Sequence, residues 1–211
     1  MTPQAALARG LEQLAPAKLP NGARDRLLGY LDLLAKWNRT YNLTAIRDPL
    51  RMVSHHVLDS LATLPYLPPG RLADVGSGGG SPGIPIAIAQ PARAVTLNDA
   101  NLKKVAFLRQ AVIELKLANA DVHAGRVEHW RPAERYRVVI SRGFAGLAQF
   151  YSACRHLIAP GGSLAAMKGI FPGDELARLP AGLAHCTVTP LHVPLLGAER
   201  HLVLCLVGSG A

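Results

Sequence analysis

Apolar residues recur at intervals of three or four positions over the first third of the chain. One series comprises Leu27, Leu28, Leu31 and Leu34, and another comprises Leu50, Val53, Val57, Leu61 and Leu64. This spacing places each series on one face of a helix. Asp48 followed by Pro49 predicts a helix start, because aspartate accepts bonds from free backbone amides and proline has no amide to leave unpaired. We therefore predict that residues 3–65 are helical.

The pattern changes after the proline-rich stretch 65–70. Short apolar runs predict strands at 72–75, 95–97, 120–123, 137–140 and 163–167, with helices between them at 84–90, 102–117 and 147–158. This alternation is typical of βαβ units, whose strands form a parallel sheet. Two later runs, 186–193 and 201–207, are joined by too few residues for a parallel crossover, so we predict an antiparallel hairpin.

The predicted fold is therefore α/β, with a Rossmann-like, mostly parallel sheet that ends in an antiparallel C-terminal hairpin. We assign residues 1–68 to an N-terminal helical extension and residues 69–211 to the sheet domain. The two parts are expected to form one compact unit.

Composition narrows the class of partner. The 211 residues are 49% hydrophobic, which is enough for a sizeable core, and 23 basic against 14 acidic residues give a net charge of +9. Such a surplus favours an anionic partner, and nucleic acid comes before acidic membranes. The longest apolar runs, 84–89 and 202–207, are too short to span a bilayer. The first residues lack the features of a secretory signal, so we expect a cytoplasmic protein.

The cysteines point to a reducing compartment. Cys154, Cys186 and Cys205 are odd in number and include no Cys-x-x-Cys pair. They are interpreted as reduced, buried thiols and not as disulfides or metal ligands.

A glycine-rich stretch, Gly76 to Gly83, follows the first predicted strand, which contains Asp74, and precedes a predicted helix. Glycine has no Cβ atom to block a ligand and accepts the backbone angles of a tight strand-to-helix turn. The spacing Gly78-x-Gly80-x-x-Gly83 matches the dinucleotide fingerprint. The spacing Asp74-x-Gly76-x-Gly78-x-Gly80 matches the acid-and-glycine pattern of methyltransferases that use S-adenosylmethionine.

The end of the strand distinguishes these two cofactors. The dinucleotide pattern begins directly at a strand end, whereas Gly78 lies beyond the predicted end at Val75. The second pattern begins inside the strand at Asp74, and a carboxylate there attracts an amino group and a sulfonium cation but repels pyrophosphate. The sequence therefore favours S-adenosylmethionine, with Asp74, Gly76 and Gly78 among its contacts.

A second acid, Asp99, ends the second predicted strand 19 positions after Gly80, where an acid binds the ribose hydroxyls of either cofactor. The alternative is that Asp99 caps the helix that begins near Leu102. We favour the ribose contact.

The fourth predicted strand ends in Ile140-Ser141-Arg142. It carries neither the Asn-Pro-Pro-Tyr stretch of enzymes that methylate exocyclic amines nor the cysteine needed to methylate a pyrimidine carbon. We therefore predict an acceptor with no proton to remove, and guanine N7, which has a free lone pair, is such an atom. Arg142 is a candidate for binding guanine O6, a phosphate or the cofactor carboxylate. A surface ion pair is the alternative role.

Several blocks of the sequence, in one order, resemble a known family. They are Lys36-Trp37-Asn38, Tyr41 to Thr44, His56 to Ser60, Pro82 to Pro85, Ile140 to Arg142, Met167 to Gly169 and Glu199 to Leu202. Together they are similar to ribosomal RNA small-subunit methyltransferase G, also called glucose-inhibited division protein B. A series of blocks is more specific than a single glycine motif.

The resemblance implies a bacterial cytoplasmic enzyme that transfers a methyl group from S-adenosyl-L-methionine to N7 of guanine 527, in the 530 loop of 16S ribosomal RNA. Its partner would be this RNA or the small ribosomal subunit, with no membrane involved, and we expect a monomer. By matching position, the cofactor contacts fall on Gly76, Ser81, Val127, Glu128 and Arg142. The candidates for orienting the guanine are Arg142, Lys168 and Arg200, and no general base is assigned.

Two positions of the glycine-rich stretch depart from the family pattern. Ser81 stands where a larger apolar residue is usual, and Gly79 stands where proline is common, so a looser turn is expected. Asn98 and Ala100 beside Asp99 also differ from the commoner pattern.

Further basic residues are candidates for phosphate contacts. They are Lys36, Arg39, Arg47, Arg51, Lys103, Lys104, Lys168 and Arg200. Lys103 and Lys104 are interpreted instead as solvated charges. His56, His201 and Trp37 are interpreted as structural residues. Two rival functions remain open: an NAD-dependent oxidoreductase, and an RNA-binding ribosome assembly factor with a vestigial cofactor pocket.

Overall fold

The computed structural model describes residues 1–14, 19–144, 146–180 and 183–208. Their strands are β1 (Leu72–Val75), β2 (Val95–Asp99), β3 (Ala120–Ala124), β4 (Tyr136–Arg142), β5 (Ile158–Lys168), β6 (Leu183–Pro190) and β7 (His201–Val207). They form one sheet in the order β3-β2-β1-β4-β5-β7-β6. The first five strands are parallel, and β7 runs antiparallel between β5 and β6. The predicted mostly parallel sheet with a C-terminal hairpin is confirmed.

The helices are α1 (Pro3–Gln13), α2 (Ala23–Tyr41), α3 (Pro49–Met52), α4 (Asp59–Leu61), α5 (Gly83–Ala89), α6 (Leu102–Glu114), α7 (Leu147–Cys154) and α8 (Gly173–Leu176). A π-helical turn, Val53–Leu58, joins α3 to α4, and 3-10 turns occupy Leu64–Tyr66, Val127–His129 and Arg155–Leu157. The predicted helical character of the first third is therefore confirmed in the described residues.

Local chemistry explains where these elements begin and end. The Asp48 side chain accepts a bond from the Arg51 amide at 2.8 Å, which starts α3 as predicted. The helix predicted at 102–117 ends early, because Leu115 is its C-cap and Lys116 adopts a φ of 52°. The helix predicted at 147–158 ends at Cys154, and a 3-10 turn completes it.

Two strands differ from their predicted bounds by more than two residues at one end or both. The strand predicted at 163–167 begins earlier, because Ile158 already pairs with Tyr136 and an irregularity in the register follows. The strand predicted at 186–193 lies at Leu183–Pro190 instead.

The apolar core connects the extension to the sheet. One cluster of buried side chains contains Tyr30 and Leu34 of α2 together with Leu72 of β1 and Ile86 of α5. A second cluster, which includes Phe150 of α7, packs on the other face of the sheet. Helices that precede the sheet domain in sequence thus pack against the sheet and against α5.

The interpretation of the cysteines is wrong for one pair. Cys186 and Cys205 form a disulfide, because the hairpin register places them directly opposite each other with Cα atoms 4.0 Å apart. Cys154 is a free, buried thiol, and burial raises its pKa to about 12. Within the described ranges, no helix is both long and apolar enough to cross a membrane.

Candidate functional site

The glycine-rich turn links β1 to α5 at the carboxyl edge of the sheet. Gly76, Gly78 and Gly80 have φ values of 70°, 56° and 89°, in the left-handed region that favours glycine. A Cβ atom on Gly76 would meet no atom within 4 Å, so the backbone there faces open space. The turn therefore offers bare main chain to a ligand.

Asp74 stabilises this turn through a buried hydrogen bond. Its carboxylate is fully buried, and Oδ2 accepts a bond from the Gly83 amide at 2.9 Å. The close approach requires glycine at position 83, because a Cβ atom there would lie 2.7 Å from the same oxygen. The other oxygen, Oδ1, is buried without a hydrogen-bond partner among the described residues. Contact of that oxygen with a cofactor amino group remains a prediction.

Burial raises the pKa of Asp74 to about 6. The bond from Gly83, the neighbouring Ser77 hydroxyl and the charge of Arg142 lower it, while the nearby charge of Asp99 raises it. The carboxyl group can therefore change its charge near neutral pH, close to the open part of the turn.

Asp99 joins the turn to the end of β2. Its Oδ2 accepts a bond from the Gly78 amide at 2.9 Å, and its Oδ1 accepts one from the Asn101 amide at 2.8 Å. The cap of α6 is Asn101, whose side chain accepts from the amides of Lys103 and Lys104, so the alternative role of Asp99 as the helix cap is wrong. Each oxygen of Asp99 retains a lone pair for a ribose hydroxyl.

The two unusual residues of the turn are both anchored. The Gly79 carbonyl accepts a bond from the Tyr30 hydroxyl at 2.7 Å. The Ser81 hydroxyl lies 2.8 Å from that of Ser60 and donates to the His56 carbonyl at 3.1 Å. Ser81 is buried, so the structure assigns its hydroxyl to the support of the turn. The turn is therefore fixed by hydrogen bonds at the two positions where we expected it to be loose.

Val127 and Glu128 begin the 3-10 turn after β3. Val127 is buried and presents an apolar side chain, whereas Glu128 is exposed and pairs with Arg126 at 3.5 Å. Its own backbone amide and the charge of Arg126 lower the pKa of Glu128. The expected adenine contact of this pair remains a prediction.

Lys104 borders the glycine turn, whereas Lys103 is exposed as interpreted. Lys104 is half-buried, and its Nζ lies 4.0 Å from the place a Cβ atom would take on Gly78. The interpretation of Lys104 as a solvated charge is therefore wrong, because the side chain is half-buried beside the turn.

Arg142, at the end of β4, reaches into the helical extension. Its Nη2 bonds the Nδ1 atom of His56 at 3.1 Å, and its Nη1 donates to the His55 carbonyl. The same Nη1 lies 3.4 Å from Oδ2 of Asp59. The alternative of a surface ion pair is wrong, because Asp59 is fully buried.

Arg200 meets the same carboxylate from another direction. Its Nε donates to Oδ1 of Asp59 at 3.1 Å. Its Nη1 lies 3.7 Å from the position of a Cβ atom on Gly169, which places the guanidinium beside the end of β5. Asp59 of α4 thus brings Arg142 and Arg200 together. Sequence reasoning missed Asp59, because its partners are 83 and 141 positions away.

The hydrogen bonds of His56 fix its tautomer. Nδ1 accepts from Arg142, so the proton is on Nε2, which lies 3.1 Å from the Thr44 hydroxyl. Burial, with smaller contributions from Arg142 and His55, lowers the pKa of His56 to about 3. His56 is therefore neutral and structural, in agreement with its interpretation.

Lys168, the third candidate for orienting a guanine, ends β5. Its ammonium group bonds both carboxylate oxygens of Glu175 at 2.9 Å, and Glu175 also accepts from the Leu147 amide at 2.7 Å. The predicted residues therefore fall into three groups along the carboxyl edge: the glycine turn with Asp99, the Arg142–Asp59–Arg200 cluster, and the Lys168–Glu175 pair. Among the residues that the structure describes, no three His, Cys, Asp or Glu side chains are arranged to hold a metal ion.

Comparison with known proteins identifies the family. The model of the family described as rRNA small subunit methyltransferase G matches residues 23–203. Ribosomal RNA small subunit methyltransferase G of Laribacter hongkongensis is 53% identical over 194 residues, covering 92% of this chain and 91% of the relative. The protein of the same name from Chromobacterium violaceum is 52% identical over 200 residues, covering 94% and 95%.

A solved structure supports the fold. The DhpI–SAH complex aligns over 95% of this chain and 98% of its own, with a TM-score of 0.57 and 16% identity. At that identity the likeness concerns the fold alone, whereas the sequence matches cover nearly the whole chain. The chain belongs to the rRNA small subunit methyltransferase G family.

Proposed function

We propose that this protein transfers a methyl group from S-adenosylmethionine to N7 of one guanine of 16S ribosomal RNA, guanine 527 in the 530 loop. The observation that carries the proposal is the turn between β1 and α5 in a chain of this family: its backbone is open at Gly76, and its Gly78 amide is bonded to Asp99. The family membership does not favour the NAD-dependent oxidoreductase.

The residues of the turn fit the cofactor. The absence of a Cβ atom at Gly76 leaves room for it, and the lone pairs of Asp99 suit its ribose hydroxyls. Val127 supplies an apolar surface for the adenine, and Asp74 supplies negative charge for the amino group. When bound, S-adenosylmethionine provides an electrophilic methyl group on a sulfonium sulfur.

Besides binding the cofactor, the protein has to position the guanine. N7 of a neutral guanine has a lone pair and no hydrogen, so no side chain has to remove a proton. Alignment of two reactants at van der Waals distance contributes as much as about 7–11 kcal/mol to a reaction of this kind. Arg142, Lys168 and Arg200 lie at the ends of β4 and β5 and before β7, where they can orient the RNA.

The cellular setting follows from this assignment. The substrate is 16S RNA or the small subunit, the protein acts in the cytoplasm as a monomer, and the +9 charge draws it toward RNA. The extension 1–68 and the sheet domain 69–211 act as one unit, because Tyr30 of the former holds Gly79 of the latter.

A transfer assay tests the proposal. The purified chain is incubated with methyl-labelled S-adenosylmethionine and small subunits that lack the modification, and the RNA is digested to nucleosides. Label in 7-methylguanosine is expected, with none on free guanosine. Arg142→Ala should lose most of the activity, and Arg71→Ala, which removes an exposed ion pair with Glu134, should retain it. Subunits that bind without being labelled would instead favour the assembly factor.

A further inference from the structure

Asp59 is a buried carboxylate that binds two arginines from distant parts of the chain. We infer that Arg142 and Arg200 together form a binding site for one backbone phosphate of the RNA, with Asp59 as its positioning residue. This inference rests on the proposed function, because it takes RNA as the ligand. It assigns a role to Asp59 and a chemical partner to the two guanidinium groups.

The geometry makes Asp59 the common support of the site. The carboxylate belongs to α4 and is fully buried, so its charge requires cationic partners. Each oxygen has one: Oδ2 faces Nη1 of Arg142 at 3.4 Å, and Oδ1 accepts from Nε of Arg200 at 3.1 Å. One rigid group therefore sets the separation of two guanidinium groups that come from β4 and from the loop before β7.

Both guanidinium groups keep hydrogen-bond donors for a ligand. Each has five N–H groups in a planar fork. Arg142 uses Nη1 for Asp59 and the His55 carbonyl and one N–H of Nη2 for His56, which leaves Nε and the second N–H of Nη2. Arg200 uses Nε for Asp59 and one N–H of Nη1 for the Glu199 carbonyl, which leaves three. The side chains are 28% and 21% exposed, so a ligand can reach them.

The charge of the cluster matches one anion. Two guanidinium groups and one carboxylate leave a single positive charge, His56 is neutral, and Lys168 nearby is paired with Glu175. A phosphodiester carries one negative charge and two free oxygens that suit arginine forks. A guanine O6 atom supplies no charge. The carboxylate of the cofactor is the competing anion. If the arginines bound that carboxylate, their loss would weaken the binding of S-adenosylhomocysteine, whereas loss of an RNA phosphate contact would not.

Arg200→Ala tests the phosphate contact. We expect the slope of log binding constant against log salt concentration, measured with 16S RNA, to become shallower by about 0.7–0.9, because one phosphate contact is lost. The affinity for S-adenosylhomocysteine should not change. Arg71→Ala is the matched control, since Arg71 also pairs with a carboxylate but precedes β1 at the opposite edge of the sheet. An unchanged slope, or weaker binding of S-adenosylhomocysteine, would overturn the inference.

Asp59→Asn tests the positioning role. This change raises the net charge of the cluster, so RNA should bind at low salt at least as tightly, whereas kcat should fall at least tenfold because the two arginines separate. A purely structural role would lower the melting temperature, the RNA affinity and kcat together, and this outcome would contradict the inference.

Arg200→Lys tests the role of the guanidinium fork and does not depend on whether Asp59→Asn folds. Lysine retains the charge but not the fork, so the salt slope should persist while kcat falls. A lysine variant with the wild-type kcat would refute the role of the fork. The RNA-binding measurements do not require methyl transfer, so failure of the proposed function, seen as an unlabelled wild-type reaction, is distinguishable from failure of this site.

Discussion

The hydroxyl of Tyr30 donates a hydrogen bond to the carbonyl of Gly79 at 2.7 Å, and this bond joins the helical extension to the glycine turn. Tyr30 is fully buried on α2, and burial raises its pKa above its ordinary value, so the phenol stays protonated as a donor. The conformation of the turn therefore depends on a helix that lies about 50 residues earlier in the chain. The extension therefore stabilises the turn that we propose as the cofactor site.

Tyr30→Phe should weaken both the fold and cofactor binding. Loss of the hydroxyl leaves the Gly79 carbonyl without this partner, which costs about 1–3 kcal/mol, and the turn becomes less ordered. We expect a lower free energy of unfolding in urea and weaker binding of S-adenosylhomocysteine by calorimetry. Tyr136→Phe is the control. The Tyr136 hydroxyl donates to the Thr96 hydroxyl at 3.0 Å, and this bond does not involve the glycine turn. That variant should lose stability but not affinity, and equal losses of affinity in both would contradict the coupling.

Asp74 should make cofactor binding depend on pH. Burial raises its pKa to about 6, and Arg142, Asp99, Ser77 and Gly83 are the groups that further affect it. Below this pH the carboxyl is protonated and would lose the attraction for the cofactor amino group that we propose. The affinity for S-adenosylhomocysteine should therefore fall between pH 7 and pH 5, by up to about tenfold per pH unit. The affinity of Asp74→Asn should be nearly constant over that range, and a pH-independent wild type would confine Asp74 to holding Gly83.

His56 should make stability depend on pH in the opposite direction from Asp74. Its folded pKa of about 3 lies below the unfolded value of 6.5, so the unfolded chain binds the additional proton as pH falls below 6.5. This residue alone should lower the free energy of unfolding by about 2 kcal/mol between pH 7 and pH 5. For Asp74 the folded pKa is raised, so that carboxyl favours the folded state on acidification over the range between its unfolded value and about 6.

The contribution of His56 is isolated by comparing variants. His56→Gln should remove its share of the pH dependence measured by urea unfolding. His192→Gln, at an exposed position, should behave as the wild type does. Parallel pH profiles for wild type and His56→Gln would show that the imidazole is not buried in its neutral form.

Gly83→Ala should disrupt the turn. A methyl group there overlaps Leu97 and lies 2.7 Å from the Asp74 carboxylate, and such overpacking costs about 1–3 kcal/mol. We expect a lower melting temperature together with weaker binding of S-adenosylhomocysteine. At Gly173 a methyl group would be in ordinary contact, 3.6 Å from the Phe171 ring, so Gly173→Ala should retain both properties. Normal affinity in Gly83→Ala would mean that the turn can relax without consequence.

The sequence predicts those structural elements that depend on the local pattern of residues. The strand at 72–75 and the start of α3 at Pro49 were predictable, because a short apolar run and a helix cap are properties of neighbouring residues. The glycine turn was predictable for the same reason, since a positive φ at Gly76 depends on the residue itself. The hairpin followed from the short connection between its strands.

The contacts that complete the site depend on tertiary structure. No local pattern indicates that Asp59 meets Arg142 and Arg200, or that Tyr30 reaches Gly79. The disulfide between Cys186 and Cys205 was missed because it depends on the register of β6 and β7, and counting cysteines does not reveal register.

The most direct test of the central claim is mass spectrometry of 16S ribosomal RNA from a bacterial strain that lacks this methyltransferase and is complemented with the present chain. We predict that 7-methylguanosine returns at guanine 527, and that it stays absent when the strain carries Arg142→Ala. Restoration of another methylated nucleoside, or none despite normal expression of the wild-type chain, would contradict the assignment.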